Sequence, residues 1–302
     1  MKGTMKNDTL ARPSSIYLER NLSYGDRTFT ETELLQASRY IVILAEPGGG
    51  KTELMNNLAR RLETETVNAS VFLFAGINEK NAPLLIDAVD EVATIDQSSI
   101  YRLLSEVKKN TPSLVIMSSR SSEWGQSSTI AFEQFLGFPP LIVRLNEFDR
   151  QQQSEIFEFH TSGEDFNSFE REVCRFNLEM LLPNPQFLKM FADAYIESNR
   201  HFINKRSIFS LAVERLAKEA NAKTPLKPSH LSVEQKIELA SEAFAKLLLS
   251  ASEGITTSEA NERIIYPLLK TLLPKNQASS DILSTRVFRL GECEYQHRPV
   301  HK

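Results

Sequence analysis

Between residues 40 and 143 the chain alternates two kinds of hydrophobic pattern. Short, unbroken apolar runs occur at Tyr40-Ile41-Val42-Ile43-Leu44, Ser70-Val71-Phe72-Leu73-Phe74, Leu84-Leu85-Ile86, Leu114-Val115-Ile116-Met117 and Leu141-Ile142-Val143. Runs of this kind predict strands buried on both faces of a parallel sheet, where neither face needs polar residues. Between them the period changes. Leu54, Leu58 and Leu62 recur every four residues, and Ile100, Leu103, Leu104 and Val107 follow i, i+3, i+4, i+7 spacing. That spacing lays an apolar stripe along one side of a helix. Strands alternating with helices imply an α/β domain with a parallel sheet and right-handed crossovers, over residues 37–146.

Residues 1–36 read as a polar lead-in with one short amphipathic stretch, Ile16-Tyr17-Leu18. After Phe148 the apolar positions fall into helix-period sets: Ile156 and Phe157; Phe187, Leu188 and Phe191; Phe209, Val213 and Leu216; Leu239, Phe244, Leu247 and Leu248. Prolines interrupt them at Leu182-Pro183-Asn184-Pro185 and Thr224-Pro225-Leu226-Lys227-Pro228. The pattern predicts a helical domain over 147–225 and a last region over 226–302. Near the end, Thr285–Arg289 and Glu294–His297 flank Gly291-Glu292 and predict a β-hairpin.

The composition narrows the function classes. The 302 residues can form two domains, and 41% hydrophobic with 25% charged residues is ordinary globular usage. A disordered, collagen-like or coiled-coil chain is excluded. The net charge is only −4, so no general field favours nucleic acid or an anionic membrane. Cys174 and Cys293 make neither a disulfide framework nor a zinc site and are expected as reduced, partly buried thiols. No apolar core follows the basic N-terminus, and no run reaches the roughly 18 apolar residues of a membrane span. The expected location is the cytoplasm.

Chemistry concentrates at the ends of the predicted strands. Ala45-Glu46-Pro47-Gly48-Gly49-Gly50-Lys51-Thr52 follows one strand and opens a helix, the context of a phosphate-binding loop. Glycines let the backbone turn its N–H groups toward phosphate oxygens, and the helix N-terminus adds its positive end. Lys51 would reach the β- and γ-phosphates and Thr52 would ligate Mg²⁺. Ala45 to Glu53 are the candidate nucleotide-binding residues. In Leu84-Leu85-Ile86-Asp87-Ala88-Val89-Asp90-Glu91 a strand ends in a carboxylate suited to Mg²⁺. One of the two acids beyond it can polarise an attacking water, Glu91 ahead of Asp90. Leu114–Met117 leads into Ser118-Ser119-Arg120, and Arg120 at that sheet edge can sense a γ-phosphate. Trp124 is assigned to packing. His160, His201 and His230 stand alone without metal-ligand spacing.

Taken together, the Glu-Pro-Gly-Gly-Gly-Lys-Thr loop, the Asp87 to Glu91 acids and the Ser-Ser-Arg ending resemble the NACHT group of STAND NTPases. The resemblance implies a P-loop sheet flanked by helices, an all-α helical domain and a partial winged-helix region. It implies binding of ATP or ADP with Mg²⁺, slow hydrolysis and self-association on activation by a protein trigger, as in bacterial antiviral sensors. Asp87, Asp90, Glu91 and Arg120 would then be catalytic, and Pro185, also a helix N1 proline, would pack near the adenine. His301 would open the winged-helix histidine motif, on a helix, that reaches the ADP β-phosphate. His297 comes second, because Lys302 stands where its Glu would be. The motif runs past residue 302, so the chain is expected to be part of a larger protein. No effector domain fits into 36 residues, and the interval between Phe74 and Leu84 is short. Two other readings of the same core remain: an AAA+-type ring ATPase with a trans arginine finger, and a nucleotide-dependent interaction module without meaningful turnover.

Overall fold

The computed structural model describes residues 16–76, 81–93, 97–218, 231–252, 254–257, 266–273, 282–283, 285, 290–293 and 298–301. A hairpin of β1 (Leu22–Tyr24) and β2 (Arg27–Phe29) comes first, followed by α1 (Glu31–Ala37). Helix α1 starts at a capping box in which Thr30 and Glu33 satisfy each other's backbone N–H groups. The core then runs β3 (Tyr40–Ala45), α2 (Lys51–Arg61), β4 (Thr66–Asn68), α3 (Ala69–Ala75), β5 (Leu84–Asp87), α4 (Val89–Ala93), α5 (Gln97–Asn110), β6 (Val115–Arg120), α6 (Gln126–Leu136) and β7 (Leu141–Leu145).

These strands form one sheet in the order β2-β1-β7-β3-β6-β5-β4. The five strands from β7 to β4 are parallel, and β1 joins β7 antiparallel. Alternate residues serve two separate cores. Val42, Leu44, Leu84, Ile86, Val115 and Met117 pack on one face under α3 to α6, while Ile41, Ile43, Leu85 and Ile116 pack on the other against α2 and Leu34 of α1. Burial on both faces explains why these strands are continuously apolar. Strand β6 lies between β3 and β5. Its register pairs Ala45 with Arg120 and Leu84 with Val115, so the C-terminal ends of all three meet at one edge.

A helical region follows: α7 (Arg150–His160), α8 (Phe166–Cys174), a 3₁₀ turn (Glu179–Leu181), α9 (Pro185–Glu197) and α10 (Lys205–Lys218). Its core is aromatic. Phe157 stacks on Phe169 at 4.4 Å, with Phe166 and Tyr195 edge-on to Phe157. Beyond it lie α11 (Val233–Leu249), β8 (Ile255–Thr256), α12 (Leu269–Leu272), β9 (Leu290–Cys293) and β10 (Arg298–His301), with the strands in a small antiparallel sheet of order β8-β10-β9. Among the described residues no helix is long and apolar enough to cross a membrane.

Several expectations are corrected. Ser70–Phe74 is helix α3, not a strand; the strand is the shorter β4 before it. Asn68 caps the helix by accepting from Ser70 N at 2.9 Å, and only Ala69 and Phe72 are buried, three residues apart as a helix requires. Val71 and Phe74 face outward. Part of the polar lead-in joins the sheet, because Leu22 and Phe29 fill the α2-side core. The terminal hairpin is β9 and β10, displaced along the chain, with Gly291 inside a strand opposite Val300. The Pro225 and Pro228 break lies outside the described residues.

The segment before β1 is held by a buried carboxylate. Glu31 accepts from Tyr17 Oη at 2.5 Å, from Arg20 N at 2.8 Å and from Asn57 Nδ2 at 2.7 Å, the last on α2. Burial, reinforced by Glu31, raises the Tyr17 hydroxyl above the ordinary tyrosine range. The sign follows from linkage. Below about pH 10 the tyrosine is protonated both folded and unfolded; above it the unfolded chain loses the proton first, so stability falls as pH rises. Urea unfolding between pH 8 and pH 11 should show this decline, and Tyr17→Phe should flatten it. Tyr195, also raised by burial, contributes to both chains and cancels in the comparison.

Candidate functional site

The loop from Glu46 to Gly50 leaves β3 and enters α2 in a conformation only glycine adopts freely. Gly48 has φ +75° and Gly50, the N-cap of α2, has φ +90°, while Gly49 between them is not left-handed. This alternation points successive backbone N–H groups into one concavity, an anion-binding nest. Gly49 N closes the loop on Glu46 O at 3.1 Å. Lys51 reaches back over it, Nζ donating to Ala45 O at 3.3 Å. Glu53 is exposed in the first turn of α2.

Asp87 sits at the end of β5, 9% exposed, and gathers the neighbouring elements. Its Oδ2 accepts from Thr52 Oγ1 at 2.9 Å, and its Oδ1 accepts from Ser118 Oγ on β6 and from Ala88 N at 3.0 Å. Ala88 takes φ +60°, which turns the chain sharply into α4. Asp90 and Glu91 therefore stand in the first turn of α4, above the strand end. Asp90, 6% exposed at its side chain, holds Arg120: Nε donates to Oδ2 at 2.9 Å, and the Arg120 backbone N–H donates to Oδ1 at 3.2 Å. Asn68 Nδ2 at the end of β4 lies 3.5 Å from Glu91 Oε2.

Two further segments close on the loop. Asn184, the N-cap of α9, donates from Nδ2 to Pro47 O at 2.9 Å. Gln186 stands so close that a Cβ on Gly48 would lie 2.3 Å from its Oε1. Pro185 is the first residue of α9, its Cγ 3.8 Å from where a Gly50 Cβ would be. From the other side Arg20, 4% exposed, donates from Nη1 to Gly49 O at 2.9 Å.

Lys51, Thr52, Asp87, Asp90, Glu91 and Arg120 thus meet at one sheet edge, with Pro185 beside them. His301 lies elsewhere, in β10 opposite Leu290 and Ile255, extended where the resemblance has it open a helix. His297 and Lys302 are outside the described residues. His160 pairs with Asp193 at 2.8 Å and His201 with Arg175, both within the helical region. Trp124 is buried against Phe132, as expected. Cys174 is exposed rather than partly buried. Arg20, Asn68 and Asn184 escaped the sequence reading. Asn184 carried a signal, its place between two prolines; Arg20 carried none.

The side chains and loop fit a nucleoside phosphate with Mg²⁺. The nest and Lys51 supply donors, and Thr52 with Asp87 supplies the few hard oxygens with which Mg²⁺ is held alongside phosphates. The architecture is that of a P-loop NTPase.

No family model matches the chain, and no curated protein matches it. Among solved structures, the Thermotoga maritima RuvB Holliday junction branch migration motor is 12% identical, covering 90% of this chain and 89% of that one at a TM-score of 0.37. Domain III of the Thermotoga maritima replication initiation protein DnaA is 16% identical, covering 60% of this chain and 87% of that one at a TM-score of 0.35. Likenesses this weak add nothing to the argument, which rests on the strand order and the loop of this chain.

Gly50→Ala tests the loop against a built-in control. Gly137 has nearly the same φ, +85°, but open space around it, whereas a Cβ at Gly50 would lie 2.9 Å from Arg20 Nη1. Gly137→Ala should cost about 1–2 kcal/mol from the left-handed backbone alone. Gly50→Ala should cost clearly more in urea denaturation. Equal losses would mean that Arg20 yields without penalty.

Proposed function

We propose that this chain is an ATP- and ADP-binding P-loop NTPase that works as a switch, with slow hydrolysis, of the kind found in NACHT-type STAND proteins. The observation that carries the nucleotide reading is the convergence of the glycine nest, Lys51 and the Thr52–Asp87 pair at one sheet edge. Lys51 would bind the β- and γ-phosphates. Thr52 and Asp87 would hold Mg²⁺, which supplies positive charge against the phosphate oxygens. Glu91 is the candidate to orient and polarise the attacking water. Arg120 is the candidate γ-phosphate sensor, and its pairing with Asp90 gives it a second partner to exchange for phosphate.

The switch reading rests on the contact between α9 and the loop. Asn184 binds the Pro47 carbonyl directly, so a phosphate that reshapes the loop also changes what α9 touches. Differential contact of that kind is what lets a ligand bias two arrangements. Pro185, at the loop's edge, supports an adenine contact in the same cleft. The histidine lock at His301, the oligomerisation on activation and the antiviral role rest on the family resemblance alone.

Lys51→Ala should raise the dissociation constants for ATP and ADP at least tenfold, read by titration with a fluorescent nucleotide. Glu91→Gln should slow phosphate release about a hundredfold, the usual scale for a general base, while leaving ATP binding near its parent value. Unaltered release in Glu91→Gln would favour a binding module over an enzyme. The nucleotide that co-purifies, measured together with mass in solution, separates the remaining readings. ADP on a monomer is expected; steady turnover by an ATP-assembled oligomer would make a ring-forming ATPase the better reading.

A further inference from the structure

We infer that Arg20, in the segment ahead of the sheet, is a positioning residue for nucleotide binding: it orients the Gly49–Gly50 peptide so that Gly50 N–H faces the phosphate side. This rests on the reading of the loop as a nucleotide site.

The argument is one of peptide geometry. Arg20 Nη1 donates to the Gly49 carbonyl at 2.9 Å. In a trans peptide the carbonyl and the following N–H point in opposite directions, and no peptide in the described chain is cis. Drawing the Gly49 oxygen outward to Arg20 therefore turns the Gly50 N–H inward. A second clamp acts on the previous turn of the loop. Asn184 Nδ2 draws out the Pro47 carbonyl at 2.9 Å, which turns the Gly48 N–H inward by the same rule. The two clamped peptides precede the two left-handed glycines, so the clamps act where the backbone is most free to rotate.

Arg20 is built to hold a fixed position. Its Nη2 donates to Asn146 O at 2.6 Å, the guanidinium lies 4.2 Å from the Phe148 ring centroid, and its own backbone N–H is bound by Glu31. A planar guanidinium can bridge the two carbonyls at once, which a lysine ammonium at the same site cannot reproduce. Two donors from opposite ends of the fold thus preset the nest, and ordering it in advance removes a cost that binding would otherwise meet.

The test compares Arg20→Gln, Arg20→Lys, Asn184→Ser and Lys51→Ala with the parent, measuring thermal midpoint without nucleotide and dissociation constants for ADP and AMP. Ser at 184 keeps an N-cap acceptor for α9 but gives up the amide donor to Pro47. If the clamps preset the nest, Arg20→Gln weakens ADP at least tenfold, Asn184→Ser weakens it by a smaller factor, and both lose more for ADP than for AMP. Arg20→Lys recovers part of the loss. A purely structural Arg20 lowers the midpoint but leaves the ADP constant of the folded protein at the parent value; that result, with Asn184→Ser also unchanged, overturns the inference. If Arg20→Gln does not fold, Arg20→Lys and Asn184→Ser decide by the same criterion. Loss of binding in Lys51→Ala alone would sink this inference and spare the nucleotide site. No binding by the parent, or equal binding by Lys51→Ala, would sink both.

Discussion

A nearly buried carboxylate organises this fold. Removing a charge from water without compensation is costly, so Asp87 must be met by donors. It is met by three: the Thr52 hydroxyl from α2, the Ser118 hydroxyl from β6 and the Ala88 backbone N–H after its own strand. These bonds lock the first turn of α2 to the ends of two strands that are not consecutive in sequence. The chain order makes this possible, because β6 is inserted between β3 and β5 and carries its polar ending to the middle of the edge. The apolar runs build the sheet; Asp87 fixes how its ends and the helix above them are registered. The donors that satisfy Asp87 also leave its oxygens beside the Thr52 hydroxyl, the pairing that a hard cation would exploit.

Three distant pieces of sequence converge on the five-residue turn above that carboxylate. The segment before β1 arrives through Arg20, the loop itself leaves β3, and the helical region arrives through Asn184. Further backbone bonds keep the outer two in place, with Asn146 N donating to Asn21 O at 3.0 Å and Phe148 N donating to Pro183 O at 3.0 Å. The hinge between sheet and helical region, residues 146–148, is therefore tied both to the segment before β1 and to the approach to α9. A change in the loop is felt at that hinge through hydrogen bonds of ordinary length, without a long chain of intermediate contacts. Coupling of this kind has a sign only if each arrangement makes different contacts with the ligand.

Much of the sheet and of the loop chemistry was legible in the sequence. The runs at 40–44, 84–86, 114–117 and 141–143 are strands because a fully buried parallel strand leaves no room for alternation. Lys51, Thr52 and Asp87 were readable because a glycine loop between strand and helix has one common chemical use. Ser70–Phe74 misled, since five apolar residues in a row carry no period and suit a short helix as well as a strand. What decided it was Asn68, whose side-chain cap starts the helix at once. Leu22 and Phe29 were hidden in polar surroundings because an edge hairpin buries only part of its surface. Arg20 was invisible for a deeper reason. Its role depends on a carbonyl 29 positions away and another 126 positions away, and long-range geometry leaves no local pattern.

The turn at Ala88 shows how the acids at 90 and 91 come to share the edge with Asp87. A strand projects successive side chains to opposite faces, so a straight continuation of β5 would have carried the later acids away from the sheet end. Instead Ala88 adopts φ +60°, a conformation that costs a residue with a Cβ about 1–2 kcal/mol. The same turn sends Ala88 N–H toward both Asp87 Oδ1 and Ser118 Oγ, each at 3.0 Å. Those bonds offset the strain by satisfying a carboxylate that would otherwise be short of a donor. The chain then enters α4 immediately, with Asp90 against Arg120 and Glu91 near Asn68. The strained residue is thus the device that folds a magnesium-type carboxylate and two further acids onto one edge. Glycine at this position would relieve the strain but add freedom to the unfolded chain, and the two effects are of similar size.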